Sequence, residues 1–271
     1  MIKFQEEGHK YFDQGGLEYT SVTTLIHKYV PPFETLYWSK YKAIKDILED
    51  EDVWHSFKYE AGGWENVVSH FEMNNRSLSR EVVDRIKRRQ DWYITKWANE
   101  RDEACETGTA VHKELEDAVA GAKTIQTKAN VPLNVRYPSA GSYASIPLED
   151  GIYVEQLLWL PEFRLAGTAD RVEICGDYIW VHDYKTNKKI DFKAFRDEKL
   201  YAPLNSLANC NFNIYTMQLS TYGYMLEELT GKKVKGLYLY HTREDMEYVV
   251  PYRRGLVKRM LKDYYVSQGK N

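Results

Sequence analysis

The stretch that most constrains the fold is a pair of strands in the middle of the chain. Leu165-Ala-Gly-Thr-Ala-Asp170-Arg-Val-Glu-Ile-Cys175 and Tyr178-Ile-Trp-Val-His-Asp183-Tyr-Lys185 flank Gly176-Asp177. A two-residue Gly-Asp link between β-rich runs specifies a hairpin, and so short a loop fixes the register. Cys175 then faces Tyr178, Ile174 faces Ile179, Val172 faces Val181, and Asp170 faces Asp183. One face is apolar near the turn and doubly acidic at the far end. Side chains alternate along a strand, so Lys185 joins the two Asp while Tyr184 points away. Opposed residues hold their Cβ atoms about 5 Å apart, and two carboxylates so placed repel unless a proton or a cation intervenes. Mg²⁺ or Mn²⁺ takes oxygen ligands and keeps several waters, which removes the conflict and leaves room for a phosphate. The Tyr184 carbonyl is a further oxygen ligand within reach. The bland alternative is a set of solvated strand-end ion pairs, with Lys185 neutralising one Asp.

Three more positions belong to the same reading. If Pro161-Glu162 turns the chain between 153–160 and 163–170, Glu155 faces Thr168 and lies diagonal to Asp170 on the acidic face. His112 and Glu116 share one helix face at a spacing of four. A neutral His112 is a usable metal ligand, with Glu116 as its orienting partner. Gln218, Tyr222 and Leu226 repeat that spacing on a later helix, where Tyr224 and Met225 read as core. Gln218 is costly to bury without partners, so it is expected to orient Lys185 or to touch a nucleic-acid phosphate.

The net charge of −3 and pI near 6.2 exclude a protein that coats nucleic acid by charge alone. Nucleic-acid contact then needs local patches. Lys188 and Lys189 follow the hairpin closely enough to guide a backbone toward it. Arg88 and Arg89 lie beside Trp92, a candidate for base stacking together with Trp64 and Phe71. The three Cys, at 105, 175 and 210, form neither a disulfide framework nor a zinc knuckle and suit a reducing compartment. No segment has the apolar length of a membrane span and the N-terminus is too polar for a signal peptide. The chain reads as cytoplasmic.

Along the chain, residues 8–20 suggest a hairpin about Gly15-Gly16, and Ser21 an N-cap for a short helix before Pro31-Pro32. A helix over 34–49 leads to an irregular stretch, 51–76, expected as a lid or partner surface. Two helices should follow, one from Ser79 past Trp97 and one from Thr107. Residues 121–150 read as loop. After the β-rich 152–185 come a long connection, a helix over 214–229 ending at Gly231, strands at 234–241 and 246–251, and a basic closing helix. We expect one domain, 1–271, with 51–106 as an inserted lobe or helical arch.

Four motifs occur in an order that resembles RecB-like nucleases of the PD-(D/E)XK superfamily: Gly108-Thr-Ala-Val-His112, Gly167-Thr-Ala-Asp170-Arg171, Asp183-Tyr184-Lys185-Thr186 and Gln218-x-x-x-Tyr222. Within it the chain is similar to stand-alone phage exonucleases and, more distantly, to the mitochondrial genome-maintenance exonuclease. Ser21-Val-Thr-Thr and Tyr201–Asn211 share the resemblance, which spans residues 8–260. It implies an α/β, restriction-endonuclease-like fold, a mixed central sheet flanked by helices. It implies metal ligation by His112, Asp170, Asp183 and the Tyr184 carbonyl, water positioning by Lys185, and support from Gln218 and Tyr222. Many relatives carry Glu where Asp183 stands. Some hold an iron–sulfur cluster on four Cys, which three scattered Cys cannot reproduce, so no cluster is expected. The implied substrate is DNA, attacked from its ends in phage-type replication, recombination or repair. A single-strand annealing or binding protein is a candidate partner, and the host cytoplasm the location. A structure-specific endonuclease, a metal phosphohydrolase acting on nucleotides or RNA, and an inactive DNA-binding scaffold are the alternatives.

Overall fold

The structure, a computed structural model, describes residues 1–136 and 146–269. Its elements in chain order are β1 (Ile2–Gln5), β2 (Lys10–Asp13), β3 (Glu18–Ser21), α1 (Val22–His27), α2 (Thr35–Asp50), α3 (Trp54–Glu60), α4 (Val67–Asn74) and α5 (Arg80–Gly121). They continue with β4 (Thr124–Gln126), β5 (Pro132–Arg136), β6 (Gly151–Leu160), β7 (Leu165–Cys175), β8 (Tyr178–Lys185), α6 (Asn211–Thr230), β9 (Lys233–His241), β10 (Met246–Val249) and α7 (Arg254–Ser267). The chain divides into two compact units, Met1–Pro31 with Thr107–Asn271, and Pro32–Glu106.

The first unit is a mixed ten-stranded sheet organised around β7. Along one edge β7 pairs antiparallel with β6, which continues to β5 and β4. Its other edge is shared. β3 pairs parallel with the first residues, Leu165 and Ala166, and β8 pairs antiparallel with Arg171 to Cys175. β8 continues parallel to β9, and β9 antiparallel to β10. Val172, Ile174, Ile179 and Val181 of the hairpin pack with Met217, Leu219 and Met225 of α6, with α1 and α7 completing the core. The Gly176-Asp177 turn gives the expected register from Cys175↔Tyr178 to Arg171↔His182. Ser21 caps α1 by accepting the Thr24 amide at 3.0 Å.

Three expectations are corrected in this unit. The β6–β7 connection is a four-residue turn, with Leu160 paired to Leu165 and Arg164 left-handed at φ 48°. Thr168 therefore faces Leu157 and not Glu155. The 121–150 stretch holds β4 and β5, the latter paired with β6; positions 137–145 of that expected loop lie outside the described residues. The two helices expected from Ser79 and Thr107 are one, α5, of 42 residues. The lone Gly108 inside it costs about 1 kcal/mol in a helix interior, too little to end so long a run.

The second unit is helical. α2, α3, α4 and the start of α5 bury Ile44, Leu48, Trp54, Phe57, Val67, Phe71, Ile86 and Tyr93 against one another. The stretch 51–76 is thus mostly α3 and α4, not irregular. Phe71 is a core residue there and has no free face to offer a base, while Trp64 stacks on Trp38 at 6.4 Å.

Candidate active site

The edge of β7 between Ala166 and Arg171 is paired with neither strand, because the β3 pairing has ended and the β8 pairing has not begun. Asp170 sits in that gap. Its Oδ2 accepts the Tyr184 amide at 2.7 Å, so a side chain occupies the place a main-chain carbonyl would hold. This is where the two Asp meet. Asp183 is one step beyond the last ladder pair, Arg171↔His182, on the site face.

Glu155 reaches the same place by an unforeseen route. Val154 pairs with Arg171 and Gln156 with Ala169, so Glu155 stands directly opposite Asp170 and not diagonal to it. It is left-handed, φ 49°, in the middle of a strand. A bulky residue held there is strained, and such strain concentrates at functional sites. Here it turns a third carboxylate inward.

A cavity of about 260 Å³ collects these groups. His112, Glu116, Glu155, Asp170, Asp183, Lys185, Gln218 and Tyr222 line it. His9, Tyr11, Ser21, Val22, Thr23 and Thr168 line it too. Gly167 completes the wall at a place where a Cβ would lie 2.7 Å from the Tyr222 ring and 3.1 Å from Val22. Only glycine lets α6 and α1 close on the strand here.

The charges in this cavity conflict. Burial and the nearby Asp183 push Asp170 up to about 8. Burial, Asp170 and a hydrogen-bonded Glu116 push Glu155 up to about 10. Glu116 thus bonds Glu155 and also places its charge near His112. Burial and Lys185 hold His112 below the usual imidazole range, which keeps a lone pair available. Burial opposes the charge on Lys185, but Asp183 and Asp170 outweigh it and raise the ammonium. Lys185 Nζ lies 2.6 Å from the buried Asp183 Oδ2 and forms an ion pair with it.

Among the described residues no three His, Cys, Asp or Glu side chains already stand close enough to hold an ion. The donors lean on protein groups instead: Asp170 on the Tyr184 amide, His112 on the Tyr184 backbone, and Asp183 on Lys185. His112 Nδ1 is 3.6 Å from Asp170 Oδ2. The set nonetheless fits a divalent cation. It gathers four carboxyl groups around one Lys, with an imidazole held neutral beside them.

Other expected residues fall elsewhere. Lys188 and Lys189 are exposed just past β8, with Lys189 Nζ 2.7 Å from Asp191. Arg88, Arg89 and Trp92 belong to the helical unit, where with Ile47 and Arg85 they line a hollow of about 310 Å³. The Trp92 ring there carries Arg89 at 5.4 Å and Lys96 at 4.8 Å. Gln218 donates to the Tyr222 hydroxyl at 3.2 Å. Sequence reasoning missed Tyr215, whose ring lies 4.9 Å from Lys185 Nζ and whose hydroxyl donates to Asn187 at 2.6 Å. Its signal was its place three residues before Gln218 on one helix face. It also missed Tyr11, held above its usual range, at about 12, by burial and bonded to Thr168 at 3.2 Å.

Among the described residues no helix is long and apolar enough to cross a membrane. A search of the curated proteins found no match. Among solved structures, one described as the crystal structure of SSO0001 is similar at 16% identity, over 64% of this chain and 70% of that chain. Its TM-score of 0.27 is too low to add to the case. Residues 67–263 match the model of a family described as the PD-(D/E)XK nuclease superfamily, whose members are nucleases that generally use a divalent metal. The match takes in α5, the β6–β7–β8 strands and α6, which carry His112, Glu155, Asp170, Asp183, Lys185 and Gln218, and the chain belongs to that superfamily.

Proposed function

We propose that this chain is a divalent-metal-dependent deoxyribonuclease that hydrolyses phosphodiester bonds from DNA ends. The observation that carries the reading is the buried Asp170/Asp183 pair on one face of a hairpin, with Lys185 two residues on and its Nζ 2.6 Å from Asp183. His112, Asp170, Asp183 and the Tyr184 carbonyl would hold Mg²⁺ or Mn²⁺. Such a cation lowers the pKa of water and neutralises charge on a phosphate, which suits a reaction needing on the order of 20 kcal/mol of barrier lowering. Lys185, once its Asp183 partner turns to the metal, is a cation placed to orient the attacking water and to meet charge growing on the phosphate. Glu155 adds a third carboxyl group facing Asp170. Gln218 and Tyr222 hold the strand beside Lys185.

Lys188 and Lys189 would guide the backbone, and Arg88, Arg89 and Trp92 of the helical unit would supply phosphate and stacking contacts. End-dependence is favoured by the acidic net charge, which suits a short footprint better than tight wrapping of a long duplex. The resemblance to RecB-like phage exonucleases supports a role in phage-type recombination or repair in the host cytoplasm, beside a single-strand annealing or binding protein. The competing reading, a structure-specific endonuclease, uses the same hairpin. Linear DNA, relaxed closed circles and single-stranded circles, each with Mg²⁺ or Mn²⁺ and a chelator control, decide between them. Progressive loss of linear DNA with circles untouched is the expected result; cutting of closed circles at a comparable rate overturns end-dependence. Activity that survives excess chelator overturns the metal chemistry.

A further inference from the structure

The connection between β8 and α6 carries an aromatic that the core does not need. Phe192 is 52% exposed, yet its ring is seated on Phe212 at 4.6 Å and on Tyr248 at 5.6 Å, and those two rings are themselves in contact at 6.4 Å. A half-exposed ring on a fixed aromatic base presents a face to solvent at a hydrophobic cost. It is the arrangement a base-stacking platform requires. Lys188, Lys189 and Lys193, all exposed, flank Phe192 in sequence, so the surroundings suit a polyanion.

α6 ties this ring to the cavity. Phe212, Tyr215, Gln218 and Tyr222 follow at spacings of three and four and share one face of the helix. Phe212 lies under Phe192, Tyr215 carries Lys185, and Gln218 and Tyr222 line the cavity. From Phe212 to Gln218 the helix rises about 9 Å at 1.5 Å per residue. That is the span of roughly two or three stacked nucleotides, at about 3.4 Å each. We infer that Phe192, on its Phe212–Tyr248 seat, is a stacking platform for an unpaired base of the substrate strand, about two or three nucleotides from the phosphate held in the cavity. A base inside a duplex is already stacked on both faces and cannot use the ring, so the platform selects single-stranded DNA at that position. The inference rests on the DNA-nuclease reading of the cavity and adds the form of strand that enters it.

The test uses the full chain without divalent ions, at low salt, in anisotropy titrations with fluorescein-labelled oligo-dT and, as a duplex without ends, a relaxed closed circle as competitor. Phe192→Ala should weaken oligo-dT binding about tenfold, the scale of one lost base–aromatic stack, and duplex binding less than about twofold, since duplex bases do not use the ring. Phe192→Trp should restore affinity for oligo-dT. Unchanged oligo-dT affinity in Phe192→Ala, or an equal loss on both DNAs, overturns the platform. So does a wild-type protein that binds duplex and no single strand, even if it cleaves that duplex with Mg²⁺. A wild-type protein that binds single strands through Phe192 but never cleaves DNA with any divalent ion retains the platform and loses the nuclease reading.

Discussion

The two faces of the β7–β8 hairpin bury acidic groups a few residues apart and treat them in opposite ways. On the cavity face Asp170 is pushed up to about 8, first by burial and then by Asp183. On the reverse face Glu173, with no exposed surface, is held below the usual carboxylate range. Burial alone would raise it too, but His182, the Lys128 amide and Arg171 outweigh burial. His182 Nε2 lies 3.0 Å from Glu173, the Lys128 amide donates to it at 2.9 Å, and Arg171 bonds it directly. Tyr238 stacks on His182 at 5.0 Å and closes the group. Burial raises both acids and so does not separate them. What separates them is compensation: the reverse face supplies cation and donors from its own chain, while the cavity face collects Asp170, Asp183, Glu155 and Glu116 around one Lys. Uncompensated charge of that kind marks a place where a ligand completes the structure.

The sharpest way to break this contrast is to remove one cavity acid while keeping its shape. Asp183→Asn should lose measurable Mn²⁺ binding by calorimetry and reduce cleavage of linear DNA at least about a thousandfold, because several kcal/mol of charge stabilisation go with the ion. A variant that keeps both properties removes the basis for the site. On the reverse face the matching change should act on folding instead. Glu173→Gln leaves Arg171 and His182 facing a neutral amide and should destabilise the protein by about 3 kcal/mol, the scale for breaking a buried charge group. Denaturant unfolding checks this; an unchanged midpoint would show that the reverse face is no more compensated than the cavity.

Lys185 tests the contrast from the cation side. Lys185→Ala should lower the cleavage rate about a hundredfold, the usual scale for one electrostatic or proton-handling group, while metal and DNA affinity persist. If Lys185→Ala abolishes metal binding, Lys185 acts on the ligands and not on the reacting groups.

The hairpin and its two Asp were legible because a two-residue turn fixes strand parity, and parity alone decides which side chains share a face. Glu155 was legible only in kind. Its place depends on a turn two residues longer than Pro161-Glu162 suggests and on a left-handed backbone that no side-chain pattern announces. α5 was split in the reading because Gly108 and Thr109 weaken the local helix signal, whereas length on both sides carries the helix through. Phe71 and Trp64 looked like free aromatics because the sequence does not say that the 32–106 unit has a core of its own. The reverse-face group had a readable signal. Arg171, Glu173 and His182 share the parity opposite to Asp170, too many charges for the hidden face of a central strand unless they pair.

The smallest effect expected is also the one that separates a destabilised site from a merely acidic one. Asp170→Asn keeps an oxygen for the Tyr184 amide, since an amide carbonyl accepts as a carboxylate does. At about pH 9, above the value of about 8 at which Asp170 ionises, what it removes is a buried negative charge facing Asp183. In excess chelator the variant should therefore be no less stable than the wild type, and more stable by up to about 1 kcal/mol, because relief of like-charge repulsion offsets the weaker neutral hydrogen bond. Most buried polar substitutions destabilise, so a rise or a null result is informative. Saturating Mg²⁺ should then raise the thermal midpoint of the wild type and leave the variant where it was, since an ion stabilises only the state that binds it. A clear loss of stability for Asp170→Asn in chelator would mean that Asp170, like Glu173, is compensated within the protein, and the difference between the two faces would disappear.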